Sequence, residues 1–200
     1  EAVHPEIYAL IGQVQPVEYH PEGDAFEHSM LILAKVAERT TNIVARFCAL
    51  CHDLGKGETP AEMLPHHYGH EVKGLKVLSH WNSRMTLSNR WLKAAKYVIT
   101  QHMRAPRLSK PGKISQLLMS MDAISQELPV EDFKIIIEAD HHSLPNYLLY
   151  AQEGIDRLKA ITGREAPEGI KGPAVGQWLE QERTKLCRIW LGEINNRSLK

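Results

Sequence analysis

The chain has 200 residues, enough for one domain with a sizeable core or for one domain with a tail. Its 24 lysines and arginines balance 24 aspartates and glutamates, so no overall charge draws it to nucleic acid or to a membrane surface. No run of eighteen apolar residues is present and the start lacks a signal-peptide pattern, so we expect no membrane-spanning helix and no membrane partner.

Three cysteines make a low and odd count, so a disulfide framework is not expected and a reducing cytoplasm is the better interpretation. Eleven histidines are many for this length, and their number becomes informative if they cluster in space. The chain begins with Glu1 instead of methionine, which leaves open that it is a fragment of something longer.

Apolar residues recur every three or four positions and strand-like alternation is hard to find, so we predict an all-α fold. A first helix is predicted at Ala25–Arg39, with Asp24 as its N-cap. A second spans 43–54 and ends at Gly55, a residue typical of helix C-termini. Later helices are predicted at 69–81, from residue 89 onward, and at 114–128, 130–142, 146–162 and 175–191. The Gly/Pro-rich segment 163–174 is predicted to be a linker.

The sequence CALCHD at 48–53 contains the Cys-x-x-Cys-His spacing of a c-type haem attachment site. Haem attachment requires an oxidising compartment, for which the sequence gives no sign. A structural zinc site requires four ligands, and the only other cysteine is the distant Cys187. We therefore interpret Cys48 and Cys51 as small buried thiols on a core helix.

The pair His52–Asp53 offers an imidazole and a carboxylate, which suit a divalent transition metal such as iron, nickel or manganese. Adjacent residues on a helix diverge by about 100°, but near the helix end both side chains can reach one point. Since two ligands do not hold a metal, other segments must supply more.

Two further candidates lie on other predicted helices. His28 is seven residues before Lys35, which puts it on the polar stripe of the first helix. Asp122 lies between two apolar residues, one turn after Leu118, and a buried unpaired carboxylate is costly. A cation would be one partner for Asp122, and a salt bridge or a helix cap is the alternative.

Two more histidines extend this set. His102 shares a stripe with Ala95 and Val98 and so faces inward, where a hydrogen bond to a backbone carbonyl is the ordinary alternative to a metal. His70 opens the third helix, close to the loop that follows Asp53. The four tryptophans are interpreted as core residues.

The order of His28, His52–Asp53 and Asp122 resembles that of the HD-domain metal-dependent phosphohydrolases. The stretches HPEGDAFEHSMLIL, RFCALCHDLGKGETP and HHYGHEVKG are similar to the HD region of bacterial CCA-adding tRNA nucleotidyltransferases, which follows the nucleotidyltransferase head. The similarity covers about residues 19–140, with a weaker likeness in GIKGPAVGQWL at 169–179.

This resemblance implies an all-α HD-domain helical bundle at 19–145, with a C-terminal helical extension at 146–200 packed on it. It implies a divalent metal (nickel, manganese, iron or cobalt, with magnesium possible) held by His28, His52, Asp53 and Asp122. In subgroups of the family with two metals, the positions of His70 and His102 complete the second site.

The resemblance also implies hydrolysis of 2′,3′-cyclic phosphates, 2′-nucleotides or simple phosphate esters, favoured by nickel. Asp53 would contact the attacking water or bridge two metals, while His70 and His102 would contact phosphate if one metal is bound. Lys56, Arg104 and Arg107 are candidate phosphate contacts. For Lys56 the alternative is an ordinary exposed lysine at a helix C-terminus, where positive charge is favoured. For the two arginines it is a solvated basic loop, which also carries Lys110 and Lys113.

The sequence departs from the family in two respects, and the second of them, together with the start at Glu1, motivates a second hypothesis. No Asp-x-Asp pair is present for nucleotide addition, and EADHHSLPN at 138–146 replaces a segment that in the family often contains arginine. The alternative function is a non-catalytic tRNA-binding or interdomain module of a tRNA-processing enzyme, linked to or separate from a nucleotidyltransferase domain. A regulatory HD protein acting on a signalling nucleotide is a further alternative.

Overall fold

The computed structural model describes residues 3–197 and confirms the all-α fold. The helices are α1 Pro5–Tyr8, α2 Ala25–Arg39, α3 Ile43–Cys51, α4 His70–Met85, α5 Asn89–Gln101, α6 Pro111–Ala123, α7 Val130–His141, α8 Asn146–Leu149, α9 Ala151–Ala160 and α10 Pro173–Arg197. Short 3-10 helices lie at Leu54–Glu58, Ala61–Met63, Ala105–Arg107 and Gly163–Glu165. Among these residues there is no β-strand, and an isolated antiparallel bridge pairs Val14 with Asp24.

The helix starts follow from side-chain caps. Asp24 Oδ1 accepts a hydrogen bond of 2.9 Å from the backbone N–H of Glu27, which confirms the predicted N-cap and the predicted bounds of α2. Ser88 accepts from the N–H of Trp91 at 3.4 Å and starts α5 in the same way. These caps satisfy N–H groups that the first helical turn leaves without a partner.

Several predicted boundaries are wrong, among them those of the helix predicted at 114–128, which runs from Pro111 to Ala123. The second predicted helix ends at Cys51 instead of residue 54, because the chain tightens into the 3-10 helix Leu54–Glu58. The predicted helix at 146–162 is two helices, since Tyr150 leaves the helical conformation with φ −98° and ψ 24°. The last helix is longer than predicted, and it begins at Pro173 within the predicted linker.

The apolar helix α3 packs against α2, α5 and α7. Its side chains are mostly buried, and Cys48 and Cys51 have no exposed surface, so their interpretation as core thiols is confirmed. Because α3 is surrounded, the residues at its C-terminal end project between the neighbouring helices. The candidate functional site lies at that end.

The C-terminal helix α10 packs along α6 and α9. Trp190 and Cys187 of α10 belong to the same hydrophobic core as the rest of the chain. A Cβ at Gly154 would lie only 2.7 Å from the ring of Trp190. The helices α9 and α10 can therefore approach closely because residue 154 has no side chain. The division at residues 145 and 146 stays a prediction.

Trp81 is buried like Trp190, and Trp91 packs half-buried against the core, as predicted. Trp178 is half-buried in the first turns of α10. None of the helices in the described range combines the length and the apolar character needed to cross a membrane.

The 3-10 helix Leu54–Glu58 lies directly against α4. A Cβ at Gly55 would overlap the backbone of His70 and Gly74, so no other residue fits without moving one of the two segments. Gly55 was predicted to end a helix, and this prediction is wrong because α3 ends at Cys51. The glycine instead lets the segment after Asp53 touch the start of α4.

Candidate metal centre

Six polar side chains from five segments converge beside the end of α3. His28 comes from α2, His52 and Asp53 follow α3, His70 is the first residue of α4, His102 follows α5, and Asp140 is near the end of α7. The structure therefore brings together residues that are far apart in the sequence. All six side chains are buried.

Asp53 lies between two pairs of imidazoles. Its Oδ2 is 3.2 Å from Nε2 of His52 and 3.7 Å from Nε2 of His28. Its Oδ1 is 3.3 Å from Nε2 of His70 and 3.4 Å from Nε2 of His102. One carboxylate thus faces two separate groups of metal-ligating atoms, each gathered within 4.8 Å.

Asp140 completes the first group. Its Oδ1 lies 3.1 Å from Nε2 of His28 and 3.9 Å from Nε2 of His52. Asp140 was not predicted as a ligand, although the sequence contains a signal for it. Asp140 follows the buried Ile136 by four positions and the buried Phe133 by seven, so it continues the inward stripe of α7.

The four imidazoles share one orientation. Each turns Nε2 towards the centre and has Nδ1 close to an acceptor outside it. The acceptors are the carbonyl oxygens of Ala49 for His52 at 2.7 Å, of His67 for His70 at 2.9 Å and of Ile99 for His102 at 3.0 Å, and the carboxylate of Glu22 for His28 at 2.5 Å. Such outer hydrogen bonds fix the tautomer of metal-binding histidines, with the proton on Nδ1.

The residues fit a bound cation. With Nδ1 protonated, the Nε2 lone pairs of His70 and His102 face each other at 3.3 Å with no proton to share. The Nε2 atoms of His28 and His52 stand at the same distance. Asp53 Oδ1 is buried without a hydrogen-bond donor. A divalent metal would satisfy these atoms together, and a mixed imidazole and carboxylate set suits a transition metal.

The two carboxylates stay ionised. Burial opposes the charge on Asp53, but the ammonium of Lys56 and the imidazole of His52 outweigh burial and hold the pKa of Asp53 well below its usual value. Burial likewise opposes the charge on Asp140, but the close imidazoles of His28 and His52 outweigh burial and lower its pKa. Two negative charges in one buried site favour a cation.

The pKa values of His28 and His70 are shifted in opposite directions. Burial disfavours protonated His28, but the nearby carboxylates of Asp140 and Asp53 outweigh burial, so the pKa of His28 is raised. Burial dominates at His70 and lowers its pKa. Burial thus favours the neutral form of His70, which is the form in which imidazole binds metals.

A cavity of about 530 Å³ opens onto this centre. Asp53, Lys56, His70 and Asp140 line it, and Arg107 joins its wall. The volume lies in the range of small-molecule sites. A small molecule can therefore reach the buried carboxylates from solvent.

The family model for the HD domain matches residues 26–160, which is more than half of the chain. The chain belongs to the HD domain family. Membership gives it the fold of a metal-dependent hydrolase, and HD domains bind divalent metals at a His/Asp cluster of the kind described above. The resemblance inferred from the sequence is confirmed.

Curated relatives of this HD domain are named Multifunctional CCA protein. The one from Acinetobacter baumannii is 33% identical over 189 residues, covering 90% of this chain and 46% of that protein. Those from Thioalkalivibrio sulfidiphilus and Nitrosococcus oceani are 31% and 34% identical, covering 92% and 93% of this chain and 47% and 48% of those proteins. The chain spans about half the length of these relatives. No solved structure matches.

Asp122 does not join the metal centre of this HD domain. Its carboxylate lies 2.8 Å from Nζ of Lys159 on α9, and 27% of its side chain is exposed. The expectation of a buried carboxylate in need of a metal is wrong, and the salt bridge that we gave as the alternative is what the structure contains. Asp122 lies at the end of α6, whose inward residues pack towards α9 and α10.

Two other expectations need correction. His28 was predicted on a polar stripe, but it is 3% exposed because it follows Ala25 by three positions and precedes Ile32 by four on the buried face of α2. Lys56 was left open as an exposed lysine, but it is 5% exposed and its Nζ contacts Asp53 Oδ2 at 2.6 Å and Gln15 Oε1 at 2.5 Å.

The predicted phosphate contacts separate into two environments. Lys56 and Arg107 line the cavity of the HD domain. Arg104 is exposed and donates to Gln101 Oε1 at 2.9 Å, and it is not part of the cavity wall. The basic loop therefore places one arginine at the cavity and the other on the surface beside it.

Proposed function

We propose that this HD domain is a metal-dependent phosphohydrolase. Its substrates would be phosphomonoesters or 2′,3′-cyclic phosphodiesters of nucleotides or RNA 3′ ends, and it would be the HD part of a tRNA nucleotidyltransferase-like protein. The observation that carries this proposal is the placement of Asp53, whose two oxygens face the Nε2 atoms of two separate imidazole pairs.

Two metal positions are proposed. The first would be held by His28, His52, Asp53 and Asp140, and the second by Asp53, His70 and His102. Nickel, manganese, iron and cobalt suit this nitrogen-rich set better than magnesium, which prefers oxygen ligands. When bound, a divalent metal supplies a water of lowered pKa and neutralises charge on the phosphoryl oxygens.

The chain's own residues have separate tasks in this proposal. Asp53 accepts a hydrogen bond from the attacking water and so orients it. Lys56 is the cation nearest to that carboxylate and lines the cavity, so its ammonium binds a phosphoryl oxygen. Arg107 draws the phosphate to the cavity from its wall. His70 and His102 contact phosphate if only the first metal is present.

The link to tRNA comes from the relatives. Proteins named Multifunctional CCA protein match 90% or more of this chain, which supports a role at a tRNA 3′ end beside a nucleotidyltransferase domain. A cytoplasmic location is also proposed, since the three cysteines are free and buried.

Hydrolysis of 2′,3′-cyclic AMP in the presence of nickel, cobalt, manganese or magnesium tests the proposal. We expect His52→Ala and Asp53→Asn to lower kcat/KM by at least about 100-fold, because each removes a metal ligand. His80→Ala is the matched control, since His80 is exposed and is not part of the cluster. Equal activity in the wild type and all three variants would refute the proposal.

A surface feature supports the alternative of a non-catalytic tRNA-binding module. Arg104, Arg107, Lys110 and Lys113 are all exposed around the connection from α5 to α6. Such a cluster attracts a nucleic-acid backbone. The alternative predicts metal-independent tRNA binding that weakens steeply with salt and weakens further in Lys110→Glu/Lys113→Glu. Absence of binding at low salt would exclude it.

A further inference from the structure

Among the phenylalanines, tyrosines and tryptophans that the structure describes, Tyr19 and Tyr68 are the most exposed, at 68% and 69%. Both lie on the wall of the cavity that leads to the metal centre. Single exposed aromatic residues are common on protein surfaces. Here both exposed rings lie in one cavity, which indicates that they contact a ligand there.

Each tyrosine is close in sequence to a residue that belongs to, or packs against, one of the two ligand groups. Tyr19 directly precedes His20, whose ring packs edge-on against that of His28 at 4.6 Å. Tyr68 lies two residues before His70, and its ring stacks with that of His66 at 5.5 Å and 24°. The positions of both tyrosines relative to the metal ligands are therefore set by short stretches of backbone.

Hydrogen bonds also tie the two tyrosine-bearing loops together. His67 Nε2 lies 3.0 Å from the carbonyl oxygen of Val14, and its Nδ1 lies 2.8 Å from Oγ1 of Thr59. Lys56 donates to Gln15, which lies in the same loop as Tyr19 between α1 and α2, and also contacts Asp53. The loops are thus held against each other and against the segment that carries the shared carboxylate.

We propose that Tyr19 and Tyr68 form a base-binding subsite, in which the planar base of a nucleotide stacks while its phosphate lies at the metal centre. This inference rests on the proposed function and adds to it the two residues that would bind the base of the nucleotide. Stacking on an aromatic side chain requires an exposed ring face and tolerates any base. The cavity of about 530 Å³ and the cation of Arg107 leave room and charge for the ribose phosphate.

Two substrates distinguish binding of the base from binding of the phosphate. Adenosine 2′-monophosphate and glycerol 2-phosphate are both phosphomonoesters of secondary alcohols, but only the first carries a base. Their hydrolysis is followed by release of inorganic phosphate with nickel or manganese present. In Tyr19→Ser/Tyr68→Ser we expect KM for adenosine 2′-monophosphate to rise by about tenfold or more, because a base stack is lost. The KM for glycerol 2-phosphate stays unchanged. Tyr19→Phe/Tyr68→Phe keeps the ring faces and is expected to behave like the wild type.

The inference is overturned if the serine variant changes KM for both substrates equally or for neither. Failure of the proposed function looks different, since the wild type would then hydrolyse neither compound with any metal. In that case calorimetric titration with adenosine 2′-monophosphate and with inorganic phosphate still decides. Weaker binding of the nucleotide alone in the serine variant supports the subsite, and equal affinities in all three proteins refute it.

Discussion

Asp140 Oδ1 lies 3.1 Å from Nε2 of His28, across the contact between α7 and α2. The two residues are 112 positions apart. Their contact depends on both helices packing against α3, so the first group of ligands exists only in the folded chain. It also identifies Asp140, and not Asp122, as the carboxylate that accompanies His28 and His52.

Replacing Asp140 with asparagine is therefore expected to weaken nickel or manganese binding by about 100-fold or more, since even partners outside the ligand shell are worth 10- to 100-fold. The variant should also lose the rise in thermal midpoint that metal gives the wild type, because a ligand stabilises only the state that binds it. Calorimetry and thermal melts with and without chelator measure both effects. Asp122→Asn is the matched control and should bind metal like the wild type; the reverse pattern would restore Asp122 as the ligand.

Glu22 is expected to act as a positioning residue for His28. Burial opposes its charge, but hydrogen bonds from its own backbone N–H and from His28 outweigh this and lower the pKa of Glu22, so it is ionised at neutral pH. Glu22→Ala removes the acceptor for Nδ1 and should reduce metal affinity by about 10- to 100-fold. Glu22→Gln, which keeps an oxygen, should recover part of it.

Metal titration followed by calorimetry checks this, with exposed Glu18→Ala in the preceding loop as the control. If Glu22→Ala and Glu18→Ala bind metal equally well, the carboxylate of Glu22 does not orient His28.

The three thiols are expected to resist alkylation in the folded protein. Burial raises the pKa of Cys48 and of Cys51 and raises that of Cys187 to about 11. At pH 8 only about one Cys187 thiol in 10³ is then ionised, and the thiolate is the reactive form. Intact mass after iodoacetamide should show no adduct in buffer and three in concentrated guanidinium. Rapid labelling of the native chain would contradict the buried placement.

Gly154 and Gly192 form a matched pair for testing the packing of α10. A Cβ at Gly154 would stand 2.7 Å from Trp190 and 2.9 Å from Leu118, whereas one at Gly192 meets nothing within 4 Å. Alanine gains about 1 kcal/mol of helix propensity at either site, but overpacking costs about 1–3 kcal/mol at 154. Urea unfolding should therefore find Gly154→Ala less stable than Gly192→Ala by about 1–3 kcal/mol, and equal stabilities would mean that α9 and α10 are further apart.

The helices could be predicted because their signals are local. Asp24 and Ser88 cap the helices that follow them, and the three- and four-residue spacing gives the inward faces. The breaks at Cys51 and Tyr150 were missed because neither is marked by glycine or proline at the point where the helix ends.

The candidate site was predictable only in part. Asp122 and Asp140 each follow a buried residue by four positions, Leu118 in one case and Ile136 in the other, so the local pattern does not separate them. The packing decides instead, since α7 lies against α2 and α3 while α6 lies against α9 and α10. The burial of Lys56 is equally non-local, because it depends on the contact with Gln15, far earlier in the chain.

The contact of Gly55 with the backbone of α4 determines which substitutions position 55 can tolerate. Every other amino acid places a carbon where two peptide groups already touch, and so would push His70 away from Asp53. A mutational scan scored by enzymatic turnover should therefore tolerate glycine alone at position 55 and rank it beside the ligands, although it binds nothing. Loss of activity on substitution would show that the backbone of Leu54–Glu58 lies directly against that of α4. If other residues at position 55 keep the activity, the two segments are further apart.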